Sequence, residues 1–414
     1  MKLLMICIAL VSFESQSKEV EFLHWWTSKG EVAALKVMED ALVAQDHIWK
    51  STPVKGGGGD TAMAVLQARA IAGNPPTLAQ IEGMAIKSWA KLGFLSSLDT
   101  VAQVEKWDEV MLPTARNINK FEGHYVAVPI TIHRVNWMWV NNLVLAKAGL
   151  EVPQTWSEFI AALKVLKTKE IKPLALGNSP WQISMLFENI ALGIGGQDYY
   201  QKALVEMSPE ALNSQEMVDI LNVFRQIGDI TKGSLTKQRW DEATNELINN
   251  KAAFQILGDW VIGELISDDA QIPDHISCFV SPQTEGVYIY NMDSFVIFNQ
   301  SFGFQKSDTD GLGKTLSSVL FQKEFSKKKG SIPARADIPL NDFNICSQQS
   351  RQDFDVSERN DALVPSMTDS MAVAPIVQNA IIEELYRFFN DSTKTPEQLI
   401  SRLIAISSSR SGNN

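Results

Sequence analysis

After a short apolar run, the pattern of apolar and polar positions switches between strand and helix periods. EVEFLH, from Glu19, reads as a strand. Ser28 and Glu31 stand at capping-box spacing, so a helix starts there, and Val32, Leu35, Met38 and Leu42 recur at helical intervals behind it. Met63 to Ala72 predicts a second helix, stopped by Gly73-Asn74-Pro75-Pro76. TLAQIEG is then a short strand, and AIKSWAKLGFLSSLD a helix that ends in a loop. HYVAVPITIHRVNWMWVNN, from His124, is a long apolar β segment with Pro129 inside it. Proline breaks a ladder, so this segment predicts a strand that leaves one sheet and enters another. Trp137 and Trp139, two apart, share a face and read as core. Beyond LAKAGLEVPQTWSEFIAALKVLK a helical region extends to about Phe224, and NMDSFVIF, from Asn291, is another strand. The tail after about Ile376 is helical and ends in SSSRSGNN, which reads as disordered.

Strands and helices therefore alternate, with crossings expected near residues 128–132, 288 and 340. That order describes two α/β lobes joined by several hinges, with a cleft between them of the kind that takes small ligands. HWWTSKGE, His24 to Glu31, poses a question for the scheme. Two adjacent tryptophans cannot share one face of a strand. Either one is core and the other caps a lobe edge, or both line a pocket where strand gives way to helix.

A chain of 414 residues is more than one hydrophobic core normally serves, so two domains are expected. The formal net charge of -11 argues against nucleic acid or an anionic membrane surface as the main partner. Tryptophan outnumbers tyrosine by 11 to 6, which fits stacking surfaces. Gly56 to Gly59 look like a phosphate cradle, but the Lys-Ser/Thr that would close a P-loop is missing and the Rossmann pattern fails. A turn capped by Asp60 is the better reading.

One Lys precedes an apolar run from Leu3 to Phe13. The run is too short to span a bilayer and has the length of a signal-peptide core, so residues 1–17 read as a signal peptide cleaved near Ser15 to Ser17. Cys7 lies inside it, but Met5 and Ile6 are poor small-residue neighbours for lipid attachment. Removing the signal leaves Cys278 and Cys346. In an exported chain these either form one disulfide closing a long loop or remain buried free thiols. There is no C-x-x-C pair and the five histidines are scattered, so neither metal nor cofactor is expected.

HWWTSKGE, GGGGD, AGNPPTLAQ, WDEV, GHYVAVPITIHRVNWMWVNN, PQTWSEF, GDW, NMDSF, KGSIPAR and VPSM follow one another in order. As an ordered set they resemble the periplasmic sugar-binding proteins of ABC importers, extracellular solute-binding family 1, and most closely their glucose/mannose-binding branch. The resemblance runs from about Glu19 to about Phe389. It implies the two-lobed α/β fold of type II periplasmic binding proteins, a sugar held between the lobes, a membrane permease as partner, and a monomer in the periplasm. Residues 18–128 with 291–340 would form lobe one, and 129–290 with 341–414 lobe two.

A pyranose offers apolar CH faces to aromatic rings and a rim of hydroxyls to charged and amide groups. The resemblance places Trp25 and Trp26 at the cleft, with Trp260 of LGDW from the other lobe and Trp181 of NSPWQ as a further aromatic candidate. For the rim it implies Glu31, Gln80, Asp293 and Lys329. Asp293 stands in an otherwise apolar strand, where a buried carboxylate needs partners. His133 and Asn136 lie just past the Pro129 bend and are further candidates.

Two positions depart from the pattern. Glu82 stands where glucose binders carry Lys or His, and Asp369 replaces the His of their S-M-A-H-G-M stretch. If both acids face the site, the ligand is expected to differ from plain glucose, an amino sugar such as glucosamine being one candidate. A disaccharide and a non-sugar cation remain as alternatives. A hydrolase using carboxylates among Glu31, Asp259, Asp293 and Asp369 is more remote, since no pair stands at a fixed spacing.

Overall fold

The computed structural model describes residues 17–55, 59–266, 271–299 and 304–410. Residues 1–16 of the expected signal peptide, most of the glycine run and the last four residues lie outside this set. The strands, in chain order, are β1 (Glu19–His24), β2 (Ile48–Pro53), β3 (Leu78–Ile81), β4 (Lys120–Phe121), β5 (His124–Tyr125), β6 (Val128–Arg134) and β7 (Trp137–Asn141). They continue as β8 (Lys172–Leu174), β9 (Ala252–Ile256), β10 (Ile276–Val280), β11 (Tyr288–Ile297), β12 (Ile332–Pro333) and β13 (Leu363–Pro365).

Two main sheets organise the chain into two α/β lobes. The larger runs β12-β6-β11-β3-β1-β2, with β13 added beside β11; the smaller runs β10-β7-β9-β8. β1 pairs in parallel with β2 and β3, whereas β11 runs antiparallel to both β3 and β6. Aromatic and branched side chains fill both faces of the larger sheet, and a separate core surrounds the smaller one. Trp137 and Trp139 lie in that second core, fully buried, with ring centroids 6.1 Å apart. Among the described residues no helix is long and apolar enough to cross a membrane.

Local sequence signals explain much of the first lobe. Ser28 Oγ accepts from the Glu31 N–H, and Glu31 Oε2 accepts from the N–H groups of Thr27 and Ser28, so the capping box starts the Lys29–Val43 helix. Leu35, Met38 and Leu42 face the core, but Val32 is 53% exposed. The buried stripe passes through Glu31 and Ala34 instead.

Pro129 does not eject its strand. It stays within β6, opposite Ser294, where the β6–β11 register shifts. The missing proline N–H therefore falls at an irregularity in the ladder, and the Pro129 carbonyl accepts from Gln322 Nε2. The chain leaves the larger sheet only at Val135–Asn136. It returns between Val280 and Tyr288. The third passage comes after β13 rather than near residue 340. The Ile345–Arg359 helix stays against the larger sheet, where Phe354 packs edge-on to Tyr288. Cys278 on β10 and Cys346 on that helix form a disulfide, with Cα atoms 6.1 Å apart.

Candidate functional site

The loop after β1 delivers the tryptophan pair. His24 Nδ1 accepts from the Trp26 N–H at 3.1 Å, and its Nε2 is 2.8 Å from Ser51 Oγ. Burial pushes the His24 pKa down to about 4, so the ring is neutral and can accept. Trp26 packs among Phe22, Phe295 and Phe325 and is 2% exposed, yet it also borders the cleft between the lobes. Trp25 is half-buried beside it and also lines the cleft. The pair thus divides the work: one ring is core and wall together, the other is wall and edge. Glu31 combines its capping role with a place on the cleft lining.

The floor comes from the larger sheet. Gln80 stands one residue before the end of β3, and Asn291 and Asp293, two apart, project from one face of β11. Gln80 Nε2 donates to Asp293 Oδ1 at 2.8 Å. His133, near the end of β6, sits between Asp293 Oδ2 at 3.0 Å and Asp259 Oδ1 at 2.5 Å. Asp259 Oδ2 also accepts from the Arg134 N–H at 2.9 Å. Burial opposes protonation of His133, but the Asp259 charge and the two carboxylate bonds outweigh it, so the imidazolium is favoured. Burial likewise opposes ionisation of Asp293, and Lys329 and His133 outweigh it. Lys329 ends its helix, with Nζ 3.9 Å from Asp293 Oδ2 and 5.1 Å from the Trp26 ring centroid. Gly330 follows at φ +88, where a Cβ would also meet the Asp259 carbonyl oxygen at 2.6 Å, so glycine is required twice over.

At Glu82 and Asp369 burial wins over the partners present. Both are more than nine-tenths buried and line the cleft. Glu82 Oε1 meets Asn291 Nδ2 at 3.4 Å, and Asp369 meets Ser366 Oγ at 3.5 Å. Burial, reinforced by the charges of Asp293 and Asp369, drives the Glu82 pKa well up. Burial and the neighbouring Glu188 push Asp369 to about 8. Glu188, behind Asp369, is itself raised by burial to about 7 while accepting from Ser366, Met367 and Tyr200.

The facing wall belongs to the smaller lobe. Trp260 stands just before the Val261–Leu265 helix, edge-on to His133 at 5.5 Å, with Trp181 6.5 Å away at the start of the Pro180–Tyr200 helix. The whole cleft encloses about 560 Å³. It brings together Trp25, Trp26, Glu31, Gln80, Glu82, Trp181, Trp260, Asp293, Lys329 and Asp369, along with His133.

Two other candidates fall outside it. Asn136 sits in the first crossing, where its amide joins Thr284, Val287 and Ile289, and Asp259 supports His133 from behind. Sequence reasoning missed Asn291, Trp240, Arg239 and Tyr386, which also line the cleft. Only Asn291 had a local signal, its two-residue offset from Asp293 in a strand.

The geometry is that of a binding cleft between two lobes, and comparison with known proteins agrees. Residues 52–299 match the family described as bacterial extracellular solute-binding protein. This chain belongs to that family. A probable sugar-binding periplasmic protein of Rhizobium meliloti (strain 1021) is 36% identical over 94% of this chain and 93% of its own length. One of the same description from Brucella suis biovar 1 (strain 1330) is 36% identical over 96% of this solute-binding protein and 94% of its own length. Among solved structures, a chitin oligosaccharide binding protein superposes with a TM-score of 0.82 at 18% identity, covering 96% of this chain and all 100% of its own. The solute receptor AcbH, described as exclusively preferring β-D-galactopyranose, gives 0.78 at 18% identity, with coverages of 96% and 99%. These structural likenesses establish the shared two-lobed fold.

Proposed function

We propose that this protein is the periplasmic receptor of an ABC sugar importer, capturing a monosaccharide between its lobes and presenting it to a membrane permease. The ligand is a glucose-like hexose or a derivative such as an amino sugar. One observation carries the reading: aromatic rings from both lobes, Trp25 and Trp26 against Trp260 and Trp181, flank a buried polar floor in a single cleft. Rings suit the CH faces of a pyranose, and the carboxylate, amide and ammonium groups suit its hydroxyl rim. The descriptions of the two relatives support the sugar class. Ligand bridging the two walls binds the closed form better and shifts the population towards it. The permease reads that closed surface, and the receptor works as a monomer without turning its ligand over.

A disaccharide is the second reading. Trp240 and Tyr386 line the same cleft beyond the four rings above and offer a place for a second ring. Titration calorimetry of the mature protein against hexoses and their disaccharides tests both readings. Tight binding of a single hexose with no gain from a second unit supports the first, a large gain supports the second, and no binding of either class refutes sugar capture.

A further inference from the structure

One end of the cleft is a cluster of hydrogen-bond acceptors short of donors. Gln80 turns its NH₂ to Asp293, and Asn291 turns its NH₂ to Glu82. Each amide is thereby oriented by a carboxylate, and each leaves its oxygen behind. Gln80 Oε1 and Asn291 Oδ1 are buried and have no donor among the described residues. Glu82 and Asp369 add their carboxyl groups to the same lining, and among the described residues no basic side chain bonds to either. His133 and Lys329, the cations beside this floor, are already engaged. His133 is held by Asp259 and Asp293, and Lys329 leans on Asp293.

An ammonium group has three N–H donors and no acceptor, whereas a hydroxyl brings one donor and two acceptors. Orphan acceptors beside two acids bonded to the neutral groups of Asn291 and Ser366 therefore match an ammonium. Building on the reading of the cleft as a pyranose site, we infer that its ligand is an amino hexose whose ammonium sits among Gln80, Glu82, Asn291 and Asp369. Trp260 and Trp26 then take the ring, and the charged nitrogen selects this sugar from its neutral counterparts. Without ligand, Asp369, pushed up to about 8, keeps its proton near neutrality, and burial with the charges of Asp293 and Asp369 favours the protonated form of Glu82. The ligand ammonium replaces those protons, so binding expels them to solvent.

The test is calorimetry of the full mature chain at about pH 6, below the raised Asp369 pKa, where the amine and Asp369 are both protonated before binding. Glucosamine, galactosamine and mannosamine are compared with glucose, galactose, mannose and N-acetylglucosamine. An amino hexose binding about 10–100-fold more tightly than its neutral and N-acetylated counterparts, as one charge-assisted contact supplies, is the expected result. Net proton release, seen as heat that varies with buffer ionisation enthalpy, is expected only for the amino sugar. Folded Glu82→Gln and Asp369→Asn variants are expected to lose the preference and the proton release.

Equal or tighter binding of a neutral hexose overturns the inference and leaves sugar capture intact. Unchanged selectivity in both folded variants also overturns it. If no sugar binds but a linear diamine such as putrescine does, both the inference and the sugar reading fall.

Discussion

A methyl group on Gly30 would lie 2.5 Å from the carbonyl carbon of Gly263. The first glycine opens the Lys29–Val43 helix of the larger lobe and the second belongs to the Val261–Leu265 helix of the smaller one. The Gly30 N–H also donates to Glu264 Oε1 at 2.7 Å. Here the two lobes touch backbone to backbone. Gly30→Ala opposes that contact without touching either core. We expect it to weaken ligand binding by about 10–100-fold, an overpacking cost of about 1–3 kcal/mol, with little change in the melting temperature of the free protein. Scattering should show that the variant contracts less on adding sugar. Full contraction with unchanged affinity would contradict this role.

Asp259 lies outside the cleft but completes the Asp259–His133–Asp293 chain. Asp259→Ala leaves His133 with a partner on one side only. Removing one member of a buried ion pair costs about 3–5 kcal/mol, so the urea midpoint should fall sharply. A midpoint like that of the parent would mean that Asp293 alone stabilises the imidazolium.

The raised acids make stability depend on pH. Asp369 at about 8 and Glu188 at about 7 bind protons in the folded state that unfolded carboxyls, near pKa 4, have already lost. Between those limits the folded state holds more protons than the unfolded one, so stability falls as pH rises. The ligand-free protein should melt progressively lower from about pH 5 to about pH 8. Glu188→Gln should flatten that decline. A melting temperature that rises over the window in the parent would exclude the account.

Cys278 and Cys346 are 68 residues apart, and their disulfide constrains the unfolded chain. Replacing both by Ser is expected to cost about 2–5 kcal/mol. Reductant should reproduce the loss in the parent and leave the double variant unmoved; equal sensitivity of both proteins to reductant would count against the bond as the cause.

Short-range signals were the legible ones. Ser28 and Glu31 announced their cap three residues apart, and the alternation of elements announced two lobes. Val32 was misjudged because helical spacing alone cannot say which flank of a stripe meets the core. Pro129 was misread as an exit because a register shift depends on the partner strand, more than 160 residues away in sequence. The ten residues expected at the site do converge on one cleft, but most were placed by resemblance to a family and not by spacing. Trp240, Arg239 and Tyr386 carried no mark, since they reach the cleft only through the packing of helices remote from one another.

The third passage between lobes returns to the acids. Segment 366–371 is bonded to both lobes: Ser366 N–H to Tyr290 O, the Met84 N–H to Ser370 O, and Thr368 O from Gln378 Nε2. Asp369 lies in the middle of it. The third passage between the lobes and the acid proposed to meet the ligand ammonium are thus one piece of chain. If the lobes turn at this passage when the proposed ligand binds, pairing at Asp369 bears on the connecting segment itself, with no relay needed between site and joint.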